Sequence, residues 1–561
     1  MNYSITRILL LLSSLWTLVV RSQYLRIPNA EKTYGPDGPW NAVWVKVGPS
    51  PGQKIDVYPG GGINSAIISN SICKNSDGSD KKTCPAKDVG GGVYAPISSG
   101  QEDSTARGST SLGYNAGDVL GLSGRTVVTK ENMTFGEGLM EGVVPDAGIN
   151  RIDEATHTLP GGAKYDLQVG FLSMGGVDLY KTFSEEKPDS GAAVPLSYLE
   201  NTKAIGSRSW SMHIGSATLG QNSSVIYGGY DRSRVVSEAA VFDIKDGVDM
   251  EVVLQNIGFG LIVGEPPWES KKIPYGNMLT PNSSASTTPP NAEYKLPTQL
   301  SAVPPYLYLP QSTCNAIAQH LPIYLASNLG LYLWNTTNPL YETLVNSTAY
   351  LEFTFSSSNI SSTFPIKVPL KLLALQLTSP FPVDKPTPYF PCRPTTGPKY
   401  YLGRSFLQAA SIGASWSTQK FWLAQAPGPD AGSSSDIVSI PTDNLSITPA
   451  TGADWAKSWA SALRAHNVER QTTTQSKNTL PIGATVGIVL GIVLAVVGFI
   501  GGYILILWKR RNEENVEEKA DLERRACHES NEPVKEPRPD SCSGREELPG
   551  YQIHSPVELG A

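Results

Sequence analysis

General acid–base chemistry needs a positioned proton donor or acceptor, and a carboxylate where an apolar run enters a tight turn could supply one. The stretch "VYPGGGINSAIIS", Val57 to Ser69, supplies the run, the turn and a second run, yet no Asp or Glu occurs between Asp56 and Asp77. Three aspartates elsewhere open a tripeptide of Asp, a small residue and Gly: Asp189-Ser190-Gly191, and Asp146 and Asp430, each followed by Ala-Gly. Asp189 follows the polar "FSEEKP", Asp430 lies in a polar segment late in the chain, and Asp146 follows "GVVP". Each reads as a loop or cap residue. His157, His213, His320 and His466 are scattered without ligand spacing, and neither G-x-S-x-G nor H-E-x-x-H occurs. No metal and no cofactor is expected.

What must position any site is a set of short strands. Charged residues make up 17% of the 561 residues, against 53 glycines and 43 prolines, a balance that favours strands and turns over long surface helices. From Trp40 to Gln425, apolar runs such as "AVWVKVG", "KIDVYP", "AIIS", "SVIYGGY", "EVVLQNIGFGLIVG" and "YLEFTFS" alternate with Gly, Pro, Asn and Ser clusters. A short helix is expected from Gln311, and the Pro/Ser-rich stretch from Glu265 to Pro297 reads as a long surface loop. The segment is all-β. A net charge of −6 without a basic stripe excludes nucleic acid as a partner.

The two ends assign a compartment. Arg7 precedes an apolar run from Ile8 to Val20, too short to span a bilayer, so residues 1–22 read as a signal peptide. Residues 482–508, from Ile482 to Trp508, carry no charge and read as one transmembrane helix. Lys509, Arg510 and Arg511 mark the cytosolic side, and residues 509–561 read as a disordered cytosolic tail. The chain is therefore expected to be a single-pass type I protein of the plasma membrane or another secretory-pathway membrane, its N-terminal portion extracellular or luminal. Gly483, Gly487 and Gly491, and Gly498 and Gly502, are spaced by four, which would permit a homodimer through the membrane. Residues 427–481 read as a polar stalk, with Trp455, Trp459 and Leu463 on one face of a short helix directed at the body, the membrane surface or the stalk itself.

Cys73, Cys84, Cys314 and Cys392 lie on the external side, where disulfides persist, and allow three pairings; Cys527 and Cys542 lie in the tail. The pairing expected is Cys73 with Cys84 across a polar loop, and Cys314 with Cys392. N-x-S/T sequons at Asn132, Asn222, Asn282, Asn335, Asn346, Asn359 and Asn444 are expected glycan sites.

Taken in order, four segments resemble the fungal branch of the pepsin-like aspartic proteases. "VKVGPSPGQKIDVYPGGGINSAII" is similar to the opening of that family, where a strand ends in Asp-Thr-Gly. "SVIYGGYDRSR" resembles the strand and turn after the first lobe, "PPYLYLPQSTCNAIAQHL" the second catalytic strand and following helix, and "YYLGRSFLQAASIGASWSTQKFWLAQ" the closing strands. The resemblance implies a bilobal β fold, an N-terminal lobe over residues 36–208 and a C-terminal lobe over residues 209–426, flanking a cleft. It also implies two carboxylates sharing a proton, one from each lobe. The matching positions are Gly60 and Ser301, and no acid occurs between Glu293 and Glu342. Both catalytic acids are missing. The expected function is a catalytically inactive, protease-like binding or sensing module for a peptide, glycan or wall polymer. The alternative is an active aspartic endopeptidase with a non-standard site.

Overall fold

The structure is a computed structural model and describes residues 23–96, 117–181, 191–245, 249–267, 276–281, 294–356, 363–397, 399–432 and 434–465. Residues 1–22, Asp189, His466, Asn282, Asn359, the apolar run Ile482 to Trp508, its glycines, the tail and its two cysteines lie outside the described residues. Among the described residues no helix is long and apolar enough to cross a membrane.

The chain is mostly β, and the strand-like runs of the sequence form strands. Trp40–Val47 and Gln53–Gly61 pair as an antiparallel hairpin, with Val43, Val45, Val47, Ile55 and Val57 turned into the core. β-Branched side chains at alternate positions suit a pleated surface, and Trp40, Ala42 and Trp44 on the other face of the first strand are buried as well. These strands belong to a 10-stranded sheet that also holds Ser65–Ile68, Gly170–Ser173 and the long hairpin of Leu122–Phe135 with Gly142–Thr158. Later in the chain a 7-stranded sheet is built on Glu251–Leu261, Leu296–Leu300 and Ala349–Ser356. The helix Gln311–Ala318 begins at the expected residue and buries Thr313, Cys314 and Ile317.

One arrangement occurs twice. In the first half, Gln53–Gly61 runs parallel to Gly170–Ser173, which pairs antiparallel with Ser65–Ile68 through Ala66 and Phe171. In the second half, Leu296–Leu300 runs parallel to Tyr401–Leu402, which pairs antiparallel with Leu307–Leu309. Each half thus threads a strand, a turn and the following strand around one returning strand. A third, 6-stranded sheet is formed by Leu25–Ile27, Ser224–Tyr227, Ser209–His213, Ala410–Ser415, Lys420–Gln425 and Ala240–Asp243. It takes strands as far apart as Leu25–Ile27 and Lys420–Gln425, and Asn41 Nδ2 donates to the carbonyls of Ile214 and Gln221 to pin the first sheet to it.

Two boundaries differ from the sequence expectation. The body begins before residue 36, because Leu25–Ile27 and Asn29–Tyr34 each join a sheet. The expected stalk is not free either. Ile437–Ser439 pairs with Gly229–Asp231, Trp459 and Leu463 are buried in the main core, and Arg464 N donates to the Asn346 carbonyl. Of the three destinations open to the Trp455 face, the body is the one adopted. Trp455 meets the Tyr350 ring edge-on, and Lys367 Nζ lies 5.2 Å from its centroid. The segment takes a 3-10 turn at Lys457–Trp459 instead of a helix, since Trp459 burial sets its path. Within the expected 265–297 loop, Met278 and Leu279 are buried, with Met278 N donating to the Ile257 carbonyl.

Candidate functional site

Gly60 occupies a bulge where Gln53–Gly61 leaves the register of its parallel partner between Pro59 and Gly61. Its φ of +99° is one that side chains rarely adopt, so glycine here is a backbone requirement. The turn after it is knitted to the returning strand. Ser173 N donates to Ser65 Oγ at 3.0 Å, Ser173 Oγ donates to the Ile63 carbonyl at 2.6 Å, and Met174 N donates to the Gly62 carbonyl.

A Cβ built on Gly60 would lie 2.8 Å from the Ala302 Cβ, so the first turn packs against the residue directly after Ser301. Ser301 is 8% exposed, and its Oγ accepts from Val303 N at 3.3 Å. The fold therefore brings together the two positions that the resemblance would assign to carboxylates, and neither side chain can share a proton as a carboxyl pair does. Asp146 sits on the exposed edge of Gly142–Thr158 with φ +49°, and Asp430 accepts from Ser461 N at 2.7 Å as a tie for the C-terminal segment. Neither lies among the residues around Gly60 and Ser301.

Beside this junction is a cavity of about 50 Å³ walled by both halves. The residue that organises it was not singled out by sequence reasoning. Arg404, 6% exposed, donates from Nη1 to the carbonyls of Ala302 and Val303 at 3.0 and 2.7 Å. Its guanidinium carbon lies 4.4 Å from the Tyr58 ring centroid and 5.2 Å from that of Trp40. Its Nε has no hydrogen-bond partner. Arg393 is also on the wall, half-buried, 5.9 and 6.0 Å from the rings of Tyr306 and Tyr308. Among the described residues no carboxylate forms an ion pair with either arginine.

Two further titratable groups face the cavity. Asp37, 6% exposed, accepts from Trp40 Nε1 at 2.9 Å. His157 stacks on Tyr165 at 4.7 Å, and its Nδ1 lies 3.2 Å from the Leu120 carbonyl, an acceptor only, so the proton sits on Nδ1. Burial of the ring is the main reason its pKa falls to about 4, which leaves it neutral near pH 7. No cluster of metal-ligating side chains is present among the described residues.

The disulfides are Cys73–Cys84 and Cys314–Cys392, with Cα separations of 5.1 and 5.9 Å. The second ties the helix Gln311–Ala318 to the strand Cys392–Pro394, and so fixes the backbone that carries Arg393. Of the sequons, Asn132, Asn222, Asn335 and Asn444 are exposed. Asn346 is half-buried, with Nδ2 donating to Glu342 and Oδ1 accepting from Lys371 Nζ.

No protein-family model matches this chain, and no similar protein is found among curated sequences.

Proposed function

We propose that this chain is a single-pass cell-surface glycoprotein whose ectodomain has the bilobal pepsin-like aspartic protease fold without its catalysis, and that it serves as a binding or sensing module. The reading of the fold is supported by the repeated strand-and-turn arrangement and by the sheet that joins the two halves. The observation that carries the loss of catalysis is the junction itself. A positive-φ glycine packs on Ala302 beside Ser301 in the place where the family's mechanism needs two carboxylates. The type I membrane topology rests on the apolar run Ile482 to Trp508 and the basic cluster after it.

The competing reading, an active endopeptidase with a non-standard site, needs two acids on one wall. Asp37 is the one acid lining the cavity, and one of its oxygens is taken by Trp40. The test is to assay the purified full-length chain between about pH 3 and 6 on a broad peptide library, with and without a statin-type transition-state inhibitor. No cleavage and no inhibitor binding is the expected result. Inhibitor-sensitive cleavage overturns the binding reading.

A further inference from the structure

The charged groups on the cavity wall are unequal in number. Two guanidiniums, Arg393 and Arg404, face a single carboxyl group, Asp37, and His157 is neutral, in a half-buried space. A buried guanidinium without a counter-charge is costly, and carbonyls and aromatic faces recover only part of its lost hydration. The donors are also in excess. The buried phenols of Tyr58 and Tyr306, and that of Tyr165, meet no acceptor among the described residues; burial pushes all three pKa values up, so each keeps its proton. Arg404 Nε is a further donor without a partner. Acceptors are few: one oxygen of Asp37 is engaged by Trp40, and the Asp37 carbonyl accepts from Tyr389.

We propose that this cavity is a binding site for one carboxylate group, held between the guanidiniums of Arg393 and Arg404 with tyrosine hydroxyls donating to it. A planar carboxylate matches the guanidinium fork. The cavity of about 50 Å³ has room for a group of that size. The carboxylate belongs either to a free small acid or to the end of a larger ligand lying along the junction. The proposal rests on the reading of this junction as a binding site and adds the chemistry of what it binds.

The experiment is calorimetric titration of the full-length chain with sodium acetate, and with acetamide as the neutral isostere, at constant ionic strength. Acetate is expected to bind at least about tenfold more tightly than acetamide. Arg393→Gln is expected to weaken acetate by about tenfold or more while the melting temperature holds, because among the described residues the Arg393 side chain meets the rings of Tyr306 and Tyr308 and forms no hydrogen bond or ion pair. Arg404→Lys is the second variant, keeping charge and losing the fork, and is expected to weaken acetate in the same way. Equal binding of acetate and acetamide, or undiminished acetate affinity in a folded Arg393→Gln protein, overturns the site. A short peptide with a free C-terminus and its C-terminal amide separate the two sources. Competition by the acid form alone assigns the carboxylate to the end of a larger ligand, and no competition assigns it to a free acid. Absent acetate binding without peptide cleavage sinks the carboxylate site and leaves the non-catalytic reading standing; cleavage sinks that reading whatever acetate does.

Discussion

At the scale of single residues, the proposed loss of catalysis predicts that placing acids at this junction is not enough for peptide cleavage. Gly60→Asp places a Cβ on a positive-φ backbone and drives it to 2.8 Å from Ala302, against a rigid neighbour. The expected cost is about 2–4 kcal/mol, read as a lower denaturant midpoint, and Gly60→Asp/Ser301→Asp is expected to show no peptide cleavage. Recovery of activity by that double variant, with unchanged stability, would defeat the argument. A second residue-scale prediction concerns His213, which is 1% exposed and donates from Nε2 to the Gln408 carbonyl at 2.9 Å. Burial pulls its pKa to about 3 from the ordinary 6.5. The folded state therefore binds fewer protons than the unfolded chain below about pH 6.5, so stability is full above that pH and falls as pH drops toward the folded value. The expected slope is about 1.4 kcal/mol per pH unit from this one ring, checked by melting His213→Gln beside the parent from pH 7.5 to 4.5; parallel curves would refute it. Gly60 and Ser301 were singled out in the sequence because motif spacing counts along the chain. Arg404 was not, since its meaning lies in the rings and carbonyls it meets across both halves. One signal was available: it is the only charge between Lys399 and Lys420.

At the scale of elements, strands such as Trp40–Val47 were readable because a short apolar, β-branched run bounded by turn residues suits a strand buried on both faces. The hairpin of Leu122–Phe135 with Gly142–Thr158 was not, because its bulges after Arg125 and Glu131 break the period and its residues are mixed polar and apolar. The C-terminal segment was misread as a stalk for a related reason. A polar composition says nothing about a few anchors, and here Trp459 and Leu463 do the holding. Trp459→Ala is accordingly expected to cost about 3–5 kcal/mol, measured by chemical denaturation; a change under about 1 kcal/mol would show that the segment is only draped on the body. The two disulfides differ in reach. Chain-entropy arithmetic gives about 3 kcal/mol for Cys73–Cys84 and about 4.5 kcal/mol for Cys314–Cys392, whose loop spans 78 residues. Replacing the second pair by alanine is expected to destabilise the protein more than replacing the first, and also to weaken acetate binding through the loosened strand that carries Arg393. The reverse ranking of stabilities would count against this account.

At the scale of the whole molecule, two sheets of similar plan share the body with a third that takes strands as far apart as Leu25–Ile27 and Lys420–Gln425. Sequence pattern could suggest two halves, since each carries its own strand–turn motif. It could not show that Leu25–Ile27 and Lys420–Gln425 share one sheet, because pairing across some 400 residues leaves no local periodicity. Limited proteolysis should therefore find one cooperative unit over residues 23–465 and not two separable halves; stable fragments ending near residue 208 would contradict this. The wrapped C-terminal segment also constrains where the chain can be cut without opening the body. A protease cutting just after Gln425, where the last strand of the six-stranded sheet ends, would carry off the partner of Gly229–Asp231 and uncover the floor beneath Trp459. The trimmed piece would be sticky and short-lived. A cut beyond Ala465 would leave the surface closed, so any long-lived fragment should end there or later.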